Sequence, residues 1–228
     1  MRIVWWRWGL FLWMAVMTVA AFLYAPLAKK LYEQTRIIYW HIPVAWVTLV
    51  AFLVAGWHSW RYLKTRDLAS DARAAVATEL GLVFCALATV TGAIFSKGMW
   101  GSYWNWDPRQ TSIFFLLLVY AAALTLRAAV EDPTRKARLS AVYGLFSAAV
   151  TPLLLFVVPR LFFSLHPDPI VNASGKLEMH PRMFQVFMAS LVGFTVLFFW
   201  VYALDVRIRL HRLAREGAWT GSGKDRAA

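Results

Sequence analysis

Six uncharged, mostly apolar runs divide the chain, at 8–28, 42–60, 80–96, 110–126, 139–159 and 183–204. Each is long enough to cross ~30 Å of hydrocarbon as a helix, which takes roughly 17–25 residues. Every gap between them contains charge, and a charge at mid-span costs about 2.5–3.5 kcal/mol on insertion scales. Runs this clean predict an all-α polytopic membrane protein with six transmembrane helices. One such run can be a buried helix of a soluble protein. Six in 228 residues leave too little polar chain to cover such a core. The first run follows Arg2 and Arg7, as a signal peptide would, but its 21 residues exceed the usual hydrophobic region of about 7–15. A retained span is the expectation.

Composition agrees. Hydrophobic residues make up 60% of the chain and charged residues 16%, which excludes a disordered polypeptide. The net charge of +12 raises nucleic acid as a partner, and its distribution answers the question. Sixteen Lys and Arg fall in the N-terminal segment, the second and fourth gaps and the C-terminal segment, against eight in the other three gaps. That asymmetry orients a membrane protein with both termini in the cytoplasm. Cys85 is the one cysteine, so the chain has no disulfide framework, zinc cluster or Cys-x-x-Cys-His haem attachment site. It also carries no P-loop, dinucleotide fingerprint or hydrolase elbow. The expected layout is a single membrane domain over 1–228, with an outer loop at 98–111 and a cytoplasmic tail at 205–228.

The three outward gaps hold the unusual chemistry. The first ends Tyr39-Trp40-His41-Ile42-Pro43, with Trp46 one turn on. Pro43 suits the first turn of a helix, which puts His41 at the outer mouth of span 2. The second contains Trp100, Gly101, Tyr103, Trp104, Trp106, Asp107 and Arg109. An aromatic belt at the membrane interface accounts for one or two such rings. Four within seven residues suggest instead a flat, polarizable surface for a large planar apolar ligand. Asp107-Pro108 reads as a helix start, with Asp107 the cap of span 4. The third gap carries His166 just after span 5 and His180 just before span 6. Neutral imidazole is a ligand for haem iron, and two from separate loops can clamp one iron. Arg109, Arg160 and Arg182 are candidates to pair with the propionates. Thr89, Thr91 and Gly92 in span 3 read as helix-packing residues.

The pattern Trp100-Gly101-x-Tyr103-Trp104-x-Trp106-Asp107-x-Arg109-x-Thr111 resembles the tryptophan-rich WWD signature of haem-handling proteins. With the length and the six spans, the chain is similar to the CcmC family of the bacterial system I cytochrome c maturation machinery, over essentially its whole length. Tyr103 stands where a Trp is common and keeps a ring there. The resemblance implies two outward histidines as axial ligands of a non-covalent haem b. His41 matches the first and His166 the second, while His180 has no assigned counterpart. It further implies a haem-handling subunit, not an enzyme, in the bacterial inner membrane. This subunit presents haem at the periplasmic face to the chaperone CcmE. CcmA and CcmB then supply ATPase activity, and CcmD is a further subunit.

Two other classes stay open on the residues alone. An electron-transfer b-type cytochrome would also use histidine pairs. His58 lies about 25 Å along the helix from His41 and cannot share its iron. A transporter for another solute would call for broken helices or polar groups at mid-membrane, of which the spans show few.

Overall fold

The computed structural model describes residues 5–29, 31–166 and 179–216. Among them every regular element is helical. The order is α1 (Trp5–Leu23), a 3₁₀ turn (Tyr32–Ile37), α2 (Ile38–Thr65), α3 (Leu68–Trp100), α4 (Pro108–Ala129) and α5 (Pro133–Pro152). A π turn (Leu153–Val157), the short α6 (Val158–Leu161) and α7 (Pro181–Arg215) follow. Six of these helical stretches are long and apolar enough to cross a membrane.

The helices outrun the uncharged stretches that announce them. Hydropathy reports where side chains meet lipid, whereas backbone hydrogen bonding continues into water. Thus α2 at 28 residues is about 42 Å long, well beyond ~30 Å of hydrocarbon. The expected loop between spans 2 and 3 shrinks to a two-residue turn. Arg66 closes α2 in the left-handed region at φ 57°, and the Asp67 carboxylate opens α3 by accepting from the amides of Ala69 and Ser70. Likewise α7 runs on to Arg215, so the first part of the expected tail at 205–228 is helix. Residues 217–228 lie outside the described residues, as do Arg2, Lys30 and Lys176.

Helix starts follow local chemistry. The Asp107 side chain accepts from Arg109 N, Asp132 from Arg135 N and His180 from Arg182 N, each with proline at the first helical position. The C-terminal end of α1 has no basic residue of its own. Arg36 supplies the charge from the 3₁₀ turn, its Nη1 donating to the carbonyls of Ala21 and Phe22 at 2.8 and 2.9 Å.

Helix α2 is the hub and packs on α3, α5 and α7. Small residues permit the close approach to α5. A Cβ on Gly56 would lie 2.4 Å from Ala148 Cβ, and one on Gly144 2.7 Å from Ser59 Oγ. By contrast α1 and α4 leave most of their apolar side chains outside the bundle, as lipid-facing helices do. At the end of the bundle away from His41, Arg127 holds Asp71 through two bonds of 2.8 and 2.6 Å, and Arg209 pairs with Glu79.

Pro43 sits inside α2, because the helix begins at Ile38 and not at Ile42. His41 is therefore a helical residue one turn into α2, not a residue of a loop junction. The preceding 3₁₀ turn makes this possible, since it feeds directly into the helix. The π turn has a comparable local cause. Pro159 cannot donate to the carbonyl four residues back and crowds it, so the backbone widens between Pro152 and Pro159.

Candidate functional site

A cavity of about 540 Å³ opens at the His41 end of the bundle. Its walls come from α2, α3, α4, the π turn with α6, and α7. Most of the lining is apolar, with Ile42, Phe95, Leu155 and Phe187 among the contributors. Polar groups enter at few points, chiefly His41, His166, Asp107 and Arg109. An apolar hollow with a few convergent polar groups is the usual form of a small-molecule site.

The two imidazoles come together there. His41 rides on α2 and His166 follows α6 in the chain, yet their ring centroids are 6.3 Å apart and their planes tilted by 40°. An imidazole nitrogen bonds a metal at about 2 Å, which places each ring centroid about 3 Å from the metal and two opposed rings about 6 Å apart. The observed centroid spacing matches that value. His180 lies elsewhere, with its Nδ1 accepting from Arg182 N at 3.2 Å as the cap of α7.

Neither histidine is held by chance. His41 Nδ1 is 2.9 Å from Thr91 Oγ1 on α3. A Cβ on the adjacent Gly92 would lie 3.0 Å from His41 Cε1. Thr91 and Gly92 thus seat His41, in addition to packing helices, and Thr89 lines the cavity. On the other side, Asp107 anchors the segment that leads to His166. Its carboxylate accepts from Leu165 N at 2.8 Å and from Ser164 Oγ at 2.9 and 3.1 Å, while still capping α4 through Arg109 N. The side chain is buried, and one acidic group ties the aromatic loop, the start of α4 and the His166 strap into one unit.

The aromatic loop is not the single flat sheet that its composition suggests. Trp100 and Trp104 line the cavity, and Trp100 meets Phe95 edge to face at 5.5 Å. Tyr103 and Trp106 point away and are 59% and 69% exposed. Trp104 and Trp106 stand perpendicular, at 89°. The backbone dictates this split. Gly101 ends α3 at φ 77°, and Trp106 sits at φ 56°, a strained conformation for a bulky residue. Thr111 Oγ1 donates to the Trp106 carbonyl at 3.2 Å. Ser96 Oγ donates to Ser102 O, Asn105 Nδ2 donates to Ser96 Oγ, and Gln110 Oε1 accepts from Asn105 N.

Of the sequence-expected site residues, the fold brings His41, His166, Trp100, Trp104, Asp107 and Arg109 around the cavity. Gly101, Tyr103 and Trp106 shape the loop instead. Arg160 lines the rim, whereas Arg182 lies over the Tyr24 ring, 5.3 Å from its centroid. Sequence reasoning missed Thr91, Gly92, Ser96, Gln110 and Ser164 as site-building residues. Their signal was weak, because small polar residues also serve ordinary helix packing.

Comparison with known proteins places the chain. The family model for CcmC, heme exporter protein C, matches residues 1–221. The chain is similar to heme exporter protein C of Bradyrhizobium diazoefficiens, at 32% identity over 207 residues covering 88% of this chain and 78% of the relative. Its counterpart in Escherichia coli strain K12 is 28% identical over 201 residues, 81% of this chain and 77% of the relative. A ccmC-like mitochondrial cytochrome c biosynthesis protein of Arabidopsis thaliana is 25% identical over 199 residues, 86% and 75% of the two chains. The match spans nearly the whole sequence, and by it the chain belongs to the heme exporter protein C family, CcmC.

Proposed function

We propose that this protein binds haem b non-covalently at its periplasmic face and delivers it to the chaperone CcmE for cytochrome c maturation. The observation that carries the proposal is the pair of imidazoles 6.3 Å apart at the wall of a 540 Å³ apolar cavity. Two histidine nitrogens are a sparse donor set for a bare ion. They suffice for an iron whose other four ligands are porphyrin nitrogens.

The named groups then divide the work. His41 and His166 would hold the haem iron through their imidazole nitrogens. Trp100, Trp104 and the apolar walls exclude water and offer ring surface to the macrocycle. Arg109 and Arg160 stand where the cavity lining is cationic and suit the propionates as charge-assisted partners. Haem is cargo in this scheme, so its bonds must be exchangeable. Two imidazoles meet that need, and Cys85, buried in α3, offers no thioether linkage.

The charge asymmetry of the sequence supports an orientation with the cavity on the periplasmic side, in the bacterial inner membrane. Power for the cycle would come from CcmA and CcmB, with CcmD as an additional subunit, since this chain has no nucleotide motif. Purification with and without CcmE, followed by visible spectroscopy, tests the proposal. The expected result is a bis-histidine spectrum that is lost as CcmE acquires haem. A colourless protein from haem-replete cells would refute it, and rapid reduction by quinol without any transfer would favour an electron-transfer cytochrome. On a denaturing gel, haem stain should leave this chain unmarked.

A further inference from the structure

We infer that Thr91 is a positioning residue that fixes the tautomer of His41, and so selects Nε2 as the nitrogen His41 offers to iron. The inference deepens the reading above, because it takes His41 as a ligand.

The argument is a count of protons. Thr91 Oγ1 lies 2.8 Å from the carbonyl of Leu87 and 3.2 Å from that of Ala88, one turn back on α3. A carbonyl oxygen only accepts, and a threonine hydroxyl has one proton to give. With that proton directed to the backbone, the contact of 2.9 Å to His41 Nδ1 needs its hydrogen on the imidazole. Nδ1 then carries the proton and Thr91 receives it. The remaining nitrogen, Nε2, keeps its lone pair. Metal-bound histidines are commonly oriented in this way by an acceptor on the other ring nitrogen, which also raises ligand basicity.

Helix geometry reinforces the arrangement. Thr91 and Gly92 are consecutive on α3, and both face His41 across the α2–α3 contact. The hydroxyl sets the ring's rotation, and the missing Cβ of Gly92 leaves the ring its space. Thr91 does not line the cavity itself, so it acts on bound haem only through His41.

The test uses the full-length protein with ¹⁵N-labelled histidine, purified without haem, and His41 assigned by difference from His41→Gln. Nitrogen chemical shifts report which ring nitrogen is protonated. The wild type should show a single Nδ1–H tautomer for His41. Thr91→Ser should keep it, and the near-isosteric Thr91→Val should lose it. A wild-type proton on Nε2, or a Thr91→Val spectrum identical to wild type, would overturn the inference. The wild-type spectrum decides even if Thr91→Val fails to insert. With haem loaded, Thr91→Val should release it about 10–100-fold faster, the usual cost of removing such an orienting partner, and Thr91→Ser should restore slow release. A His41→Ala protein with an unaltered haem spectrum would sink the ligand assignment separately, while the nitrogen shifts would still decide the role of Thr91.

Discussion

Replacing Asp107 should loosen haem without touching either imidazole. The carboxylate divides its oxygens between two jobs. Oδ1 accepts from Arg109 N at 2.9 Å and Ser164 Oγ at 3.1 Å, while Oδ2 accepts from Ser164 Oγ at 2.9 Å and Leu165 N at 2.8 Å. A hydrogen bond to a charged group contributes about 1.5–3 kcal/mol and a helix cap about 1 kcal/mol. Asp107→Ala therefore removes on the order of 3 kcal/mol of restraint, most of it from the strap that carries His166. Transferred to haem release, that is roughly a 100-fold faster rate, at about 1.4 kcal/mol per factor of ten. Asp107→Asn should do little better, because its NH₂ would face a donor at one of the two positions. The assay is transfer of haem from detergent-solubilised protein to an excess of apo-globin, followed by absorbance. A double-mutant cycle sharpens it, since Asp107→Ala should add little once His166 is already Ala. A wild-type release rate in Asp107→Ala, or full additivity with His166→Ala, would refute the claim that Asp107 acts through His166.

Other expectations concern the remaining walls of the site. His41→Ala and His166→Ala should each abolish the bis-histidine spectrum. His180→Ala should retain it and lose only the cap of α7, about 1 kcal/mol, visible as a small drop in melting temperature. Gly92→Ala places a methyl 3.0 Å from the His41 ring and should shift the haem absorption bands while insertion stays normal. Trp104→Ala should weaken haem retention, but Trp106→Ala should not, because only Trp104 lines the cavity; equal losses in retention would contradict that division. Trp106→Gly should relieve the positive φ and leave the protein at least as stable as wild type in a thermal unfolding assay.

Much of this protein was legible before any folding. Six uncharged runs match the six helical stretches able to cross a membrane, since hydrocarbon tolerates little else. Asp107-Pro108 announced the start of α4, because capping is local chemistry within four residues, and Asp132-Pro133 caps α5 in the same way although it reads as a turn in a short charged loop. The WWD pattern pointed to the right region, and four of its residues reach the cavity. The sequence also misled in particular ways. Charge at positions such as Arg61 and Arg73 suggested loops, yet both residues are helical, because charge forbids hydrocarbon and not helix. Pro43 suggested a helix start, because nothing local revealed the 3₁₀ turn before it.

Only the tertiary structure decided which residues meet. His41 and His166 are separated by more than half the chain, and no periodicity encodes their distance of 6.3 Å. The same holds for Thr91 against His41 and for Asp107 against Ser164 and Leu165. Burial and capping depend on a residue's near neighbours and on its solvent, so sequence carries them. A site depends on the packing of several helices at once, and small residues such as Gly56, Gly92 and Gly144 set that packing by what they leave out.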